Sequence, residues 1–193
     1  MSRRIMLASA LLLVLHLVAG SGYGGMELLT NGGFETGDFT GWTQSGNLGL
    51  TGVSPESHSG LWAALFGPIG SQGFISQNIP TTVGTTYDLT FWLRNDSGAT
   101  NLFTADWGST NLVTLSDVGF FGWTFYDFPV TATSSTTTVT FGFRQDALFF
   151  HFDDASLTES SGAVPEPSTL IIWSLLGGVG AVFPWRRRKR TTE

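Results

Sequence analysis

Flat aromatic surface is the most plentiful chemical resource of this chain, with seven tryptophans and sixteen phenylalanines in 193 residues. Trp92 stands in YDLTFWLR, residues 87–94, with Arg94 two positions on; Trp107 lies in LFTADWG and Trp123 in GWTFYDFPV. An indole offers a broad apolar face and one N–H donor at its edge, which suits the C–H face of a sugar ring. A guanidinium beside it supplies fixed donors for ring hydroxyls, and Tyr126 or Arg144 could add more. The same residue types also build cores, because large aromatics dominate buried area. Trp42, Trp62 and most of the phenylalanines read as core.

Catalytic chemistry fits this chain less well. Asp153 and Asp154 are adjacent in LFFHFDDASL, and in a strand successive side chains point to opposite faces. They are therefore not expected to face each other across a cleft as a glycosidase pair must. Serine nucleophiles lack a Gly-x-Ser-x-Gly setting, and no Gly-rich phosphate loop is present. The absence of cysteine excludes disulfides, thiolate zinc sites and a thiol nucleophile. His58 and His151 stand apart without paired spacing, whereas transition-metal sites need three or more converging ligands. A protein that is not an enzyme is expected.

The elements that must position the aromatics are strands. In YDLTFWLR, Tyr87, Leu89, Phe91 and Leu93 share one face, while Trp92 and Arg94 share the other; TTVTFGFR sets Val139, Phe141 and Phe143 against Thr138, Thr140 and Arg144. This alternation predicts half-buried antiparallel strands. Further strands are predicted at 61–67, 73–79, 102–108, 122–130 and 148–157, separated by Gly, Asn, Ser and Thr. Many short strands with such punctuation imply a β-sandwich. Gly142, inside a strand, predicts a bulge or bend.

The two ends of the chain differ from this body. MSRRIMLASALLLVLHLVAGSGYGG begins with two arginines, continues with an apolar run from Ile5 to Leu15 and ends in small residues, the pattern of a secretory signal peptide over 1–24. An uncleaved anchor is the alternative. Ser168–Trp185 carries no charge over eighteen residues, roughly 27 Å as a helix, just enough to span hydrocarbon. Arg186, Arg187, Arg188, Lys189 and Arg190 follow it and mark a cytoplasmic end by the positive-inside rule. A buried core helix is the alternative there. Between the ends only Arg94 and Arg144 stand against thirteen of the fifteen acids. Such an acidic body repels phosphate backbones, so nucleic acid is not an expected partner.

The tail, with Val164, Pro165, Glu166 and Pro167 ahead of an apolar helix and an Arg-rich end, resembles the PEP-CTERM sorting signal. That resemblance implies an exported protein held briefly in the inner membrane, cut by an exosortase-type protease and released to the cell surface or to an exopolysaccharide or biofilm matrix. The body, 25–161, carries LLTNGGFETGDFTGWT at its start, SPESHSGLWAAL further on and FFHFDDASLTE at its end. These resemble the galactose-binding-like jelly roll of carbohydrate-binding modules, which implies an all-β jelly-roll β-sandwich between the signal peptide and a C-terminal transmembrane helix, with the sorting signal over 162–193. It further implies that the first and last strands meet and hold a structural calcium, for which Glu35, Glu56 and Asp153 are the matching acids and Gly33 and His58 the carbonyl donors. Calcium takes six to eight such oxygens; solvated loop acids are the alternative. The expected function is binding of extracellular polysaccharide through Trp92, Arg94, Trp107 and Trp123. The alternative is a structural matrix or surface protein that uses the same sandwich without a ligand.

Overall fold

The computed structural model describes residues 25–96, 100–146 and 148–160. The expected signal peptide, 1–24, and the sorting tail with its motif, apolar helix and basic cluster lie outside the described residues. Among the described residues no helix is long and apolar enough to cross a membrane.

Ten strands build the body: β1 (Thr43–Gly46), β2 (Thr51–Ser54), β3 (Ala63–Phe66), β4 (Gly73–Pro80), β5 (Thr86–Asn95), β6 (Asn101–Trp107), β7 (Thr110–Ser116), β8 (Phe121–Thr131), β9 (Thr136–Gln145) and β10 (Phe150–Glu159). They form two five-stranded antiparallel sheets, β1-β4-β9-β6-β7 and β2-β3-β10-β5-β8. The expected all-β sandwich is therefore present. The seven strands predicted from alternation coincide with β3, β4, β5, β6, β8, β9 and β10. The unpredicted three, β1, β2 and β7, are all sheet-edge strands.

Alternation fills the space between the sheets. Tyr87, Leu89, Phe91 and Leu93 of β5 and Val139, Phe141 and Phe143 of β9 are all buried. Phenylalanine rings interlock across the gap: Phe66 lies parallel to Phe143 at 3.7 Å, Phe141 meets Phe152 at 4.5 Å, and Phe91 stands edge-on to Phe141 at 5.2 Å. Each such ring contributes about 1.5–3 kcal/mol by leaving water. The first segment closes the sandwich against the last strand. Leu28 N–H donates to Leu157 O at 2.9 Å and Ala155 N–H to Gly32 O at 3.0 Å. Position 32 must be glycine, since a Cβ there would sit 1.8 Å from Ala155 O.

The expectation for Gly142 needs correcting. It pairs in register with Phe74 on one side and Thr104 on the other, with no bulge. A Cβ at this position would meet Thr104 Oγ1 at 2.6 Å and Phe74 Cε1 at 2.7 Å, so the missing side chain makes room for its neighbours. The register shifts fall elsewhere, at Leu93/Asn95, Ala105/Asp106 and Asp153/Ser156.

Candidate functional site

The outer face of the second sheet carries the aromatic cluster. Even positions of β5 point away from the core, which places Trp92 and Arg94 there. Across the ladder Trp92 faces Phe125 of β8 and Asp153 of β10, while Arg94 faces His151 of β10. Trp123 lies two residues before Phe125 and so shares its face. Trp92, Arg94 and Phe125 owe their positions to strand period, and Trp123 lies opposite the register shift at Leu93/Asn95.

A loop from Pro55 to Gly60 folds over this face, and Asp153 holds it down. Its carboxylate, fully buried, accepts the backbone N–H groups of His58 at 2.8 Å, Ser59 at 3.2 Å and Asp154 at 2.8 Å. Burial pushes the Asp153 carboxyl up to about 6, against the opposing pull of those N–H groups. The expected opposition of Asp153 and Asp154 does not hold. Asp154 adopts a left-handed backbone, φ 48°, at the register shift. Both carboxylates therefore turn toward the loop, where Asp154 contacts His58 Nδ1 at 2.7 Å and accepts Ser59 Oγ–H at 2.7 Å. They act as an anchor, with Asp153 out of reach of solvent.

The anchored loop lays the His58 imidazole flat on Trp92, ring centres 3.7 Å apart and 15° from parallel. Trp92 is thus covered on one face, contrary to the expectation of a free platform. Phe125 leans on it at 5.3 Å, and Trp123 stands edge-on to His58 at 5.7 Å. The outermost ring is Phe125, which keeps 50 % of its surface exposed. Arg94 borders the cluster, bonded to Glu56 Oε2 at 3.0 Å and Asp96 Oδ1 at 2.8 Å, and Asp96 in turn meets the buried His151 Nε2 at 2.8 Å. A half-exposed aromatic surface therefore rests on a fixed second layer and is edged by a charged, hydrogen-bonding rim. Phe125 was missed as a site residue, although the Trp123–Phe125 spacing of two inside a predicted strand signals a shared face.

Other expected participants lie elsewhere. Trp107 belongs to the inward-facing set of β6 and is 6 % exposed, with its Nε1–H spent on Thr131 O at 3.1 Å; it is a core residue of the opposite sheet. Tyr126 turns inward and stacks on Phe91 at 5.1 Å, and burial raises its phenol. Arg144 lies on the first sheet, clasping Asp146 with two bonds of 2.8 and 2.6 Å. Trp42 is buried beside Phe34 and Trp62 packs against the core, as expected.

The expected calcium trio is not gathered. Glu56 is engaged by Arg94, and among the described residues no group of three or more His, Cys, Asp or Glu is arranged to hold a metal. Glu35 accepts the N–H groups of Leu61 at 2.9 Å and Trp62 at 3.0 Å. This bond requires glycine at position 60, φ 64°, where a Cβ would lie 2.3 Å from Glu35 Oε1. Around Gly33 only Asp153 Oδ1 and Asp154 Oδ1 come near one point, at 3.8 and 3.6 Å, while Glu35 approaches it with its Cγ methylene and keeps its carboxylate on the loop N–H groups.

No protein-family model matches this sequence and no curated protein matches it. Solved structures do share its fold. The chain is similar over 70 % of its length to 99 % of TmCBM61, a structure in complex with β-1,4-galactotriose, at 23 % identity and a TM-score of 0.57. It is similar over 73 % of its length to 98 % of a xylan-binding domain from CBM 22, at 18 % identity and a TM-score of 0.53. It also matches 21 % of the enzymatically active domain of bacteriophage CBA120 tailspike protein 4, at 13 % identity and a TM-score of 0.53. The body of this chain is a β-sandwich of the kind found in carbohydrate-binding modules.

Proposed function

We propose that this chain is an exported polysaccharide-binding protein whose ligand lies on the outer face of the second sheet, stacked on Phe125 and Trp123. Trp92 and His58 form the layer beneath. Arg94 and Glu56 supply hydrogen bonds at the rim. The observation that carries this reading is the arrangement of three aromatic rings on one strand-built face, stiffened by a loop that Asp153 anchors. Rings already held in place lose little freedom on binding, so stacking appears as affinity. The likeness in fold to modules solved with galactotriose or named for xylan supports the ligand class. The acidic body favours neutral chains over anionic ones. A calcium ion at the Asp153–Asp154 corner beside Gly33, without Glu56, belongs to the same proposal. It would offset the charge of the buried carboxylate and brace the loop from below.

Affinity electrophoresis tests the ligand class. The full chain should be retarded in gels containing neutral galactan or xylan and should run freely beside an anionic polymer. Free migration in every neutral polysaccharide contradicts the proposal and favours the structural matrix protein.

Export and sorting rest on the sequence of the two ends. In a host with an exosortase-type protease, the protein is held in the inner membrane as a precursor and then released to the cell surface or matrix. Mass spectrometry of the released form should find no peptide containing Trp185, and changing Pro165, Glu166 and Pro167 to alanine should leave the protein in the membrane. A released protein that keeps Trp185 contradicts the sorting proposal.

A further inference from the structure

The far end of the sandwich holds a cavity that the aromatic site does not use. It has a volume of about 270 Å³ and lies between the β6–β7 turn and the β8–β9 connection. Eight of its ten lining residues are Ser or Thr and the other two are Trp107 and Gly108; none is ionisable. Trp107 closes the floor with the small part of its ring that is not buried, its Nε1–H bonded to Thr131 O and Tyr87 6.0 Å from the ring. Some hydroxyls are occupied within the protein: Thr137 bonds to Thr81 at 3.0 Å and Ser134 to Thr136 O. The hydroxyls of Ser109, Thr110, Thr133 and Thr136 bond to no other protein group among the described residues.

We infer that this cavity is a second binding site, for one neutral sugar residue. A hydroxyl both donates and accepts and turns to suit its partner, so several free hydroxyls in one pocket match a ligand that itself carries hydroxyls in mixed roles. An uncharged lining gives no advantage to a phosphate, a carboxylate or a metal ion. Trp107 is buried beneath the hydroxyls, so recognition rests on the hydroxyls and not on ring stacking. Size sets the ligand's length. At about 270 Å³ the cavity lies below the usual range for pockets that enclose larger ligands, which suits one sugar ring.

The position gives the site a role. Trp123 and Thr131 stand eight residues apart on β8, roughly 26 Å of extended chain. One body would then grip a polysaccharide along the aromatic face and a sugar residue of another chain, or a distant part of the same one, at the opposite end. Two weak grips joined by a rigid sheet raise retention well beyond either alone. They also allow crosslinking of polysaccharide strands.

The test titrates the full chain with galactose, xylose and glucose, following the backbone amide shifts of Gly108, Ser109 and Thr133. Thr110→Arg, at an exposed position, puts a bulky cation in the cavity mouth without touching the core. At least one sugar should produce saturable shifts at those amides, weakened tenfold or more in Thr110→Arg and unchanged in Trp123→Ala. Thr133→Arg, from the other wall, should act in the same way and stands in if the first variant fails to fold. Shifts confined to the surroundings of Trp123, or equal affinity in both arginine variants and wild type, overturn the cavity site and leave the aromatic site standing. No saturable shift with any of the sugars at Gly108, Ser109 or Thr133 overturns it as well; loss of the aromatic site is read separately, from free migration in galactan and xylan gels.

Discussion

Asp153→Ala should lower stability by roughly 3 kcal/mol. Removing the carboxylate leaves three part-buried N–H groups, on His58, Ser59 and Asp154, without their acceptor, and each costs about 1–3 kcal/mol. The loss is partly offset because the buried charge is itself unfavourable: a carboxyl pushed up to about 6 from 3.8 gives back about 3 kcal/mol when it is removed. For a domain of this size the net corresponds to a melting temperature lower by about 10 °C. Calcium separates the two roles of this residue. If the proposed ion is held, calcium at a hundredfold excess over its Kd should add about 2.7 kcal/mol to the wild type and nothing to Asp153→Ala. A wild type indifferent to both calcium and chelator removes the ion from the account and leaves the anchor. An Asp153→Ala protein as stable as wild type removes the anchor.

The second large effect concerns binding. Trp123→Ala combined with Phe125→Ala should weaken polysaccharide affinity by ten- to a hundredfold, about 1.4–3 kcal/mol, as at aromatic hot spots. Stability should change little, because Phe125 is half exposed and neither ring lies between the sheets. Trp92→Ala should behave differently. Its ring supports both His58 and Phe125, so its loss should lower the melting temperature and the affinity together. If all three substitutions only destabilise, and binding per folded molecule is unchanged, the aromatic face is packing and not a site.

How much of this was legible in the sequence depends on strand position. Central strands announce themselves, because a buried face and a wet face leave the period of two seen in β5 and β9. Edge strands do not. TQSG of β1 is exposed throughout and TGVS of β2 is half-exposed throughout; the neighbouring ladder makes them strands, and no propensity of their own shows it. The β8 edge was legible only because aromatics line it. The same period placed Trp92 and Arg94 on the outer face correctly. It said nothing of the loop that drops His58 onto Trp92, since that contact joins residues far apart in sequence through the Asp153 anchor. It also failed at Asp154, where one left-handed residue reverses the alternation. Trp107 is legible by the same period: in LFTADWG it shares a face with Phe103 and Ala105, both fully buried, against Leu102, Thr104 and Asp106, which makes it core and not a platform.

The most direct measurement of the central claim follows the Trp123 indole N–H and the Phe125 amide by NMR while β-1,4-galactotriose or xylohexaose is added to the full chain. Saturable shifts at both, spreading to Trp92, His58 and Arg94, are the predicted result. Shifts that fall instead on the outer face of the first sheet, around Phe74, Thr104 and Arg144, or that appear nowhere with either sugar, contradict it.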